Sequence, residues 1–161
     1  MKTKPRLRAI GLTIAAIILI LDQWTKFIIL EQPDLTGYSS IEVTSFFNIV
    51  LVLNRGVSFG MFAGQNQPLL LIGISGVIIT ILFIWLWRNS SLATALSIGS
   101  IIGGAIGNVI DRVRYGAVVD FLDFHIAGLH WPAFNIADSF VFIGVVVLCI
   151  YSMFFEKKNQ D

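Results

Sequence analysis

Two aspartates, Asp120 and Asp138, flank one loop of a very apolar chain, in the runs Val118-Val119-Asp120-Phe121 and Phe134-Asn135-Ile136-Ala137-Asp138. Carboxylates beside apolar segments are costly unless they do chemistry or carry ions. Two carboxylates held close together resist ionising at once, so one keeps a proton and can hydrogen-bond a carbonyl while the other activates a water. Such a pair hydrolyses a peptide bond without a covalent intermediate and without a cofactor. Other chemistries are poorly supported. There is no Gly-x-Ser-x-Gly elbow, and Ser139 has no histidine of obvious use nearby. His125 and His130, with Asp120 and Asp123, lie in a loop at a spacing that lacks a Cys/His framework, so interfacial histidines are expected and no metal site.

Further polar residues gather at the level of this pair. A helix rises about 1.5 Å per residue, which puts Asp22 about 20 Å and Lys26 about 26 Å along a span that starts near residue 9. From a start near residue 92, Asn108 lies about 24 Å in and Asp111 and Arg112 about 28 to 30 Å in. All fall in the outer third of a hydrocarbon core roughly 30 Å thick. This convergence reads as a site, with a structural polar belt at the helix ends as the competing explanation. The third span also carries Gly99, Gly103 and Gly107 at every fourth position, with Gly104 beside them, a pattern that lets membrane helices pack closely. That span should be central.

The elements that position these groups follow from hydropathy. Four stretches, about 9 to 30, 68 to 87, 92 to 113 and 139 to 155, are long enough to cross a bilayer, which takes roughly 20 residues. The fourth is short unless it borrows residues from the loop before it. Lys2, Lys4, Arg6 and Arg8 precede the first span, Arg88 falls between the second and third, and Lys157 and Lys158 follow the fourth. The positive-inside rule then places both termini in the cytoplasm and the loops at about 31 to 67 and 114 to 138 outside. Trp131 and Tyr115 suit the outer interface, and Trp85 and Trp87 the inner one. The basic start followed by Ala9 to Leu21 imitates a cleavable signal peptide, but the apolar run continues to Leu30 with no small-x-small site, so it reads as a retained span. In the first outer loop, Ile41 to Leu53 is rich in β-branched and aromatic residues between Pro33 and Gly37 on one side and Gly56 and Gly60 on the other, which predicts a small sheet. Asn54 and Arg55 fall at a turn after it, and Val57 to Phe62 is apolar enough to rest on lipid. The predicted fold is therefore a mainly α membrane protein, four transmembrane helices with a small extracytoplasmic sheet in the first outer loop, forming one domain.

Composition agrees and excludes other classes. With 56% hydrophobic residues and a mean hydropathy of +0.82, the 161-residue chain is too apolar for a soluble globule of its size. A net charge of +1 without a basic tract offers no surface for nucleic acid. The single cysteine, Cys149, lies in an apolar run and has no partner for an internal disulfide.

The runs Asp22-Gln23-Trp24-Thr25-Lys26, Asn54-Arg55-Gly56-Val57-Ser58-Phe59-Gly60, Gly103-Gly104-Ala105-Ile106-Gly107-Asn108-Val109-Ile110-Asp111-Arg112, Val118-Val119-Asp120-Phe121 and Phe134-Asn135-Ile136-Ala137-Asp138, in that order, resemble the lipoprotein signal peptidases (signal peptidase II) of bacteria. The resemblance implies a four-span aspartic peptidase of the cytoplasmic membrane with Asp120 and Asp138 as the catalytic pair. It also implies that Asp22, Lys26, Asn54, Gly104, Asn108, Asp111, Arg112 and Asn135 support or line the site, with Arg55 and Ala137 beside them. The implied substrates are prolipoproteins whose cysteine already bears diacylglycerol, cut just before that cysteine near the outer membrane surface. Membrane lipids are the only other partner implied, and a monomer without a cofactor is expected. Two other classes compete on the residues alone. Intramembrane Asp, Lys and Arg also mark ion pathways, although here nothing comparable lines the inner half of the spans. A non-enzymatic scaffold built on the glycine face would leave the carboxylates unexplained.

Overall fold

Four helices long and apolar enough to cross a membrane make up most of the molecule: α1 (Thr3–Leu30), α2 (Gln67–Arg88), α3 (Leu92–Tyr115) and α4 (Ile136–Tyr151). The computed structural model describes residues 3–35, 39–56, 67–88 and 91–156. The expected surface segment Val57 to Phe62 and the basic pair Lys157 and Lys158 lie outside the described residues. α4 starts at Ile136 rather than near 139, so the fourth span does take its missing length from the preceding loop. As a result Asp138 stands in the first turn of the helix instead of ahead of it.

α3 is the central helix, packed against each of the others. The glycine stripe explains how. A methyl group on Gly99 would collide with the Gly11 carbonyl of α1, and one on Gly103 would lie 2.5 Å from the Ala15 carbonyl. Gly104, on the adjoining face, is equally close to the Ala137 carbonyl of α4. Glycines therefore set the distance from α3 to both neighbours, and van der Waals contact along these seams holds the bundle where lipid offers no hydrophobic drive. A core of Ala15, Leu82, Leu86, Ala95, Ile98 and Ile102 fills the half of the bundle nearer the termini. There Arg8 donates two hydrogen bonds (3.1 and 2.7 Å) to the Trp87 carbonyl, one of the orphan acceptors at the end of α2.

The other end carries an antiparallel sheet of four strands in sequential order: β1 (Ser40–Thr44), β2 (Phe47–Asn54), β3 (Val118–Ile126) and β4 (Leu129–His130). The expected strands in the first loop are present, but the sheet also recruits the second loop, where the sequence alone predicts none. Val118 to Phe121 is buried on both faces and so shows no alternation to betray a strand. Its partner lies more than 60 positions earlier, with Asn54 opposite Val118 and Val52 opposite Asp120. Gly116, at φ 66°, supplies the left-handed residue that ends α3, and its N–H bonds the Arg112 carbonyl at 3.0 Å. The chain thus enters β3 only two residues after the helix stops. Ile29, Leu35 and Phe121 form a second, smaller core between the sheet and the helix ends.

Candidate active site

Asp120 lies on β3 and Asp138 on the first turn of α4, and the backbone between them brings the two elements together. The Phe134 carbonyl accepts from the N–H groups of Phe121 (3.0 Å) and Leu122 (2.8 Å), while the Phe134 N–H donates to the Leu122 carbonyl (3.1 Å). This short pairing sets Asn135 beside Asp120. Asn135 is fully buried and is the N-cap of α4, its Oδ1 accepting the Asp138 N–H at 2.9 Å. Its Nδ2 donates to Asp120 Oδ1 at 2.7 Å and also reaches the Val119 carbonyl at 3.3 Å and Asn108 Oδ1 at 3.2 Å.

The three asparagines around the pair have their amide orientations dictated by chemistry. An ammonium can only donate, so Lys26 Nζ, 3.0 Å from Asn108 Oδ1, fixes that atom as the oxygen and leaves Nδ2 to donate to Asp138 Oδ1 at 2.8 Å. The Asp138 N–H fixes Asn135 in the same way. The Gly56 N–H, 3.2 Å from Asn54 Oδ1, turns the Nδ2 of Asn54 toward Asp120 Oδ2 at 3.0 Å. Each amide thus presents its NH2 group to a member of the pair, and both Asp120 oxygens are occupied.

Behind the asparagines lies a buried charge cluster. Lys26, only 2% exposed, spends its three protons on Asp22 Oδ2 (2.9 Å), Asp111 Oδ2 (2.7 Å) and Asn108 Oδ1 (3.0 Å). Asp111 Oδ2 also accepts the Val119 N–H at 3.1 Å, gripping the strand one residue before Asp120. Asp22 Oδ1 accepts the Ala137 N–H at 3.0 Å, a carboxylate at the positive end of α4. Gly107 makes that possible, because a methyl group there would collide with the Asp22 carboxylate. Gln23, which the sequence does not single out as a site residue, completes the cluster: its Nε2 donates to Asp111 Oδ1 (2.9 Å), Asp22 Oδ2 (3.3 Å) and the Gly107 carbonyl (3.3 Å). Its i,i+3 spacing to Lys26 on a helix is the one available clue.

Other residues are placed differently. Arg112 bonds the Asn108 carbonyl at 3.3 Å and feels the charges of Asp138, Asp120 and Asp111, rather than forming a close ion pair among the described residues. Arg55 is exposed beyond β2 and bonds neither aspartate. Ala137 is fully buried and contributes its backbone. His130 pairs with Asp123 at 2.9 Å and stacks on His125 at 4.8 Å, and Asn48 donates to Asp123 at 3.2 Å, so Asp123 is drawn away from Asp120 into a separate strap across the strands. Among the described residues no group of three metal-ligating side chains converges. Ser139 donates to the Asn135 carbonyl at 3.0 Å.

Asp120 lies outside the membrane-spanning helices and is 1% exposed. Burial, aided by the charge of Asp138, pushes its carboxyl up to about 6 against the opposing pull of Asn54, Asn135 and Lys26. A carboxyl raised in this way beside a second carboxylate is suited to proton exchange near neutrality.

Fold and site together define a multi-pass membrane protein with a two-carboxylate centre at the sheet end of its bundle, Asp120 buried and Asp138 half-buried. The chain belongs to the signal peptidase II family, whose model matches residues 14–154. It is 45% identical over 150 residues to the lipoprotein signal peptidase of Rhodopseudomonas palustris (strain TIE-1), covering 89% of this chain and 92% of that one. It is 48% identical over 140 residues to the lipoprotein signal peptidase of Janthinobacterium sp. (strain Marseille), covering 84% and 83%. Two solved bacterial membrane enzyme structures superpose with TM-scores of 0.80 and 0.79 at 33% and 34% identity, covering 95% and 92% of this chain and 92% and 94% of theirs. The expected family and fold class are borne out, and the protein is a membrane peptidase that processes the signal peptides of lipoprotein precursors.

Proposed function

We propose that the chain is an aspartic endopeptidase that cuts diacylglyceryl-modified prolipoproteins just before the lipidated cysteine, with Asp120 and Asp138 as its acid and base. The observation that carries this reading is Asn135, one side chain that donates to Asp120 and caps the helix turn bearing Asp138. Asp120, with its raised carboxyl, holds the shared proton and donates it in a hydrogen bond to the scissile carbonyl. Asp138 stands at a helix N-terminus, which favours negative charge, and accepts a proton from water. The resulting hydroxide adds to the carbonyl carbon. Collapse of the tetrahedral intermediate breaks the C–N bond, and the departing amine takes up the proton that Asp138 accepted from water, which returns the pair to its starting state. Arg112 supplies positive charge beside both carboxylates, and Asn108 keeps Asp138 aimed.

The reading extends to topology and surroundings: a bacterial cytoplasmic membrane, both termini inside, the sheet and site at the outer surface, and a single peptidase domain acting as a monomer without a cofactor. The apolar core in the half of the bundle nearer the termini supports hydrolysis over an ion pathway, since a conducting route needs polar groups along its length. The test is to incubate purified protein with lipidated and unlipidated prolipoprotein and follow signal-peptide release. Cleavage confined to the lipidated form is expected. Equal cleavage of both would remove the lipid requirement, and cleavage of neither would remove the reading.

A further inference from the structure

The ladder between β2 and β3 breaks its register beside Asp120. Ile49 pairs with Leu122 and Val52 with Asp120, so β2 advances three positions where β3 advances two. Unbroken pairing would set Leu51 opposite Asp120. The extra residue delivers Val52 there instead, and it brings Asn54 to the same face, where its Nδ2 donates to Asp120 Oδ2 at 3.0 Å. Bulges of this kind recur next to active sites, where they re-aim a side chain.

Directly paired residues point to one side of a sheet, with Cβ atoms about 4.5–5.5 Å apart. Val52 is 42% exposed and Asp120 is 1% exposed, so the valine lies between the carboxyl and the space outside the sheet on that flank. The other neighbours of Asp120 on this face are occupied. Val118 is buried, Leu122 packs half-buried against the smaller core, and Asn54 is held by its bonds to Asp120 and the Gly56 N–H. Of these four side chains Val52 is the most open to an incoming chain. It is also stiff. Two methyl groups on Cβ restrict its rotation, and its strand is paired on both sides, by β1 and β3.

We infer that Val52 is the wall against which the residue on the amino side of the scissile bond rests, limiting that residue to a small side chain. The inference rests on the reading above, in which Asp120 hydrogen-bonds the scissile carbonyl. A carbonyl so held lies about 3 Å from the carboxyl. The residue that owns it branches its side chain two bonds from the carbonyl carbon, and the cysteine that follows branches one bond further away. The amino-side residue is therefore the first to meet a rigid valine standing beside Asp120. Anything much larger than a methyl group would compete with the methyl groups of Val52 for the same space.

The test uses the full chain in lipid nanodiscs with one lipidated prolipoprotein that carries glycine, alanine or valine just before the cysteine. The quantity read is the ratio of kcat/KM between these substrates. Val52→Ala is expected to raise the valine-to-glycine ratio about tenfold or more, the usual effect of opening a pocket wall by a methyl group or two. Val52→Leu, which restores the side-chain size that unbroken pairing would place there, should lower the alanine-to-glycine ratio about tenfold. Val52→Ile serves in its place should the leucine variant not fold. Leu53→Ala, on the opposite face of the same strand and 48% exposed in the parent, is the control and should leave the ratios as they are. Equal cleavage of all three substrates by the unaltered protein would overturn the inference, as would ratios that no Val52 variant moves. So would Val52 variants whose preferences shift with acyl-chain length instead of with the residue before the cysteine. Failure of the peptidase reading looks different, because the unaltered protein would then cleave none of the three.

Discussion

The side-chain oxygen of Asn135 accepts the backbone N–H of Asp138 at 2.9 Å, and the nitrogen of the same amide donates to Asp120 at 2.7 Å. One rigid group of atoms therefore sets the position of both carboxylates. The two bonds can be separated. Asn135→Ala removes cap and donor together and should cost about 1–2 kcal/mol of stability along with nearly all cleavage. Asn135→Asp keeps an oxygen for the Asp138 N–H but sets a third carboxylate against Asp120. It should regain much of the melting temperature and little of the activity at neutral pH. Melting curves and cleavage rates on the same samples decide this, and recovery of both by Asn135→Asp would show that the donation to Asp120 is dispensable.

Asp120 gives a pH dependence with a definite sign. Its carboxyl is raised from an ordinary 3.8 to about 6, so the folded state binds this proton more tightly than the unfolded state does. The corresponding stability is complete below pH 3.8 and is lost as the pH climbs through about 6. Asp120→Asn does not titrate. Its stability relative to the parent should rise across that window, by on the order of 3 kcal/mol at most, while activity is abolished. Thermal unfolding at a series of pH values measures it. A constant offset from pH 4 to 7 would contradict the assignment.

Glycines on two helices should respond in opposite ways. Gly104→Ala forces the α3 and α4 backbones apart at Ala137, and Gly107→Ala displaces the Asp22 carboxylate. Each should cost about 1–3 kcal/mol by overpacking and lower cleavage as well. Gly73 and Gly76 on α2 have nothing within 4 Å of the place an alanine methyl would take. Alanine there should be neutral or stabilising by up to about 1 kcal/mol, with activity retained. Comparable losses at all four positions, read by thermal unfolding in one detergent, would show that close approach is not what these glycines provide.

Gln23 separates support from chemistry. Gln23→Met keeps length but removes the donor to Asp111 and Asp22, leaving buried carboxylate oxygens short of partners at a cost of about 1–3 kcal/mol. Gln23→Glu adds a third acid to that cluster and should be worse. Cleavage should fall in step with stability in both variants, with KM unchanged. A rise in KM without loss of stability would instead place Gln23 against the substrate.

The histidines should be silent in the reaction. His125→Ala and His130→Ala are expected to change cleavage less than about threefold, and a chelator should leave it intact, because the His130 and Asp123 strap serves strand pairing. Loss of activity in chelator that zinc restored would reverse this.

Much of this arrangement is legible in the chain. Hydropathy alone marks the four spans, since each must satisfy its backbone within itself and advertise nearly 20 apolar residues in a row. Depth counting along α1 and α3 brings Asp22, Lys26, Asn108 and Asp111 to one level, where they do bond to one another. The contribution of β3 is not legible, because a strand buried on both faces has no alternation and its ladder partner lies in the other loop. Gln23 is hidden for a related reason. A neutral amide beside a lysine and an aspartate has no signature until the rotation of α1 against α3 is known. Arg55 goes the other way: it sits within a matching run, yet only its neighbour Asn54 turns inward.

Asp22 and the Ala137 N–H that it accepts are separated by 115 positions in a chain of 161 residues. The first span therefore holds one half of a contact whose other half is synthesised last. On the proposed mechanism, a ribosome-bound chain with three spans in the bilayer has Lys26 and Asp111 but neither Asn135 nor Asp138, and so lacks its water-activating base. Hydrolytic competence would then come only with insertion of the final helix. A peptidase that shares its membrane with many nascent proteins, itself included, is in this way inert throughout its own biogenesis.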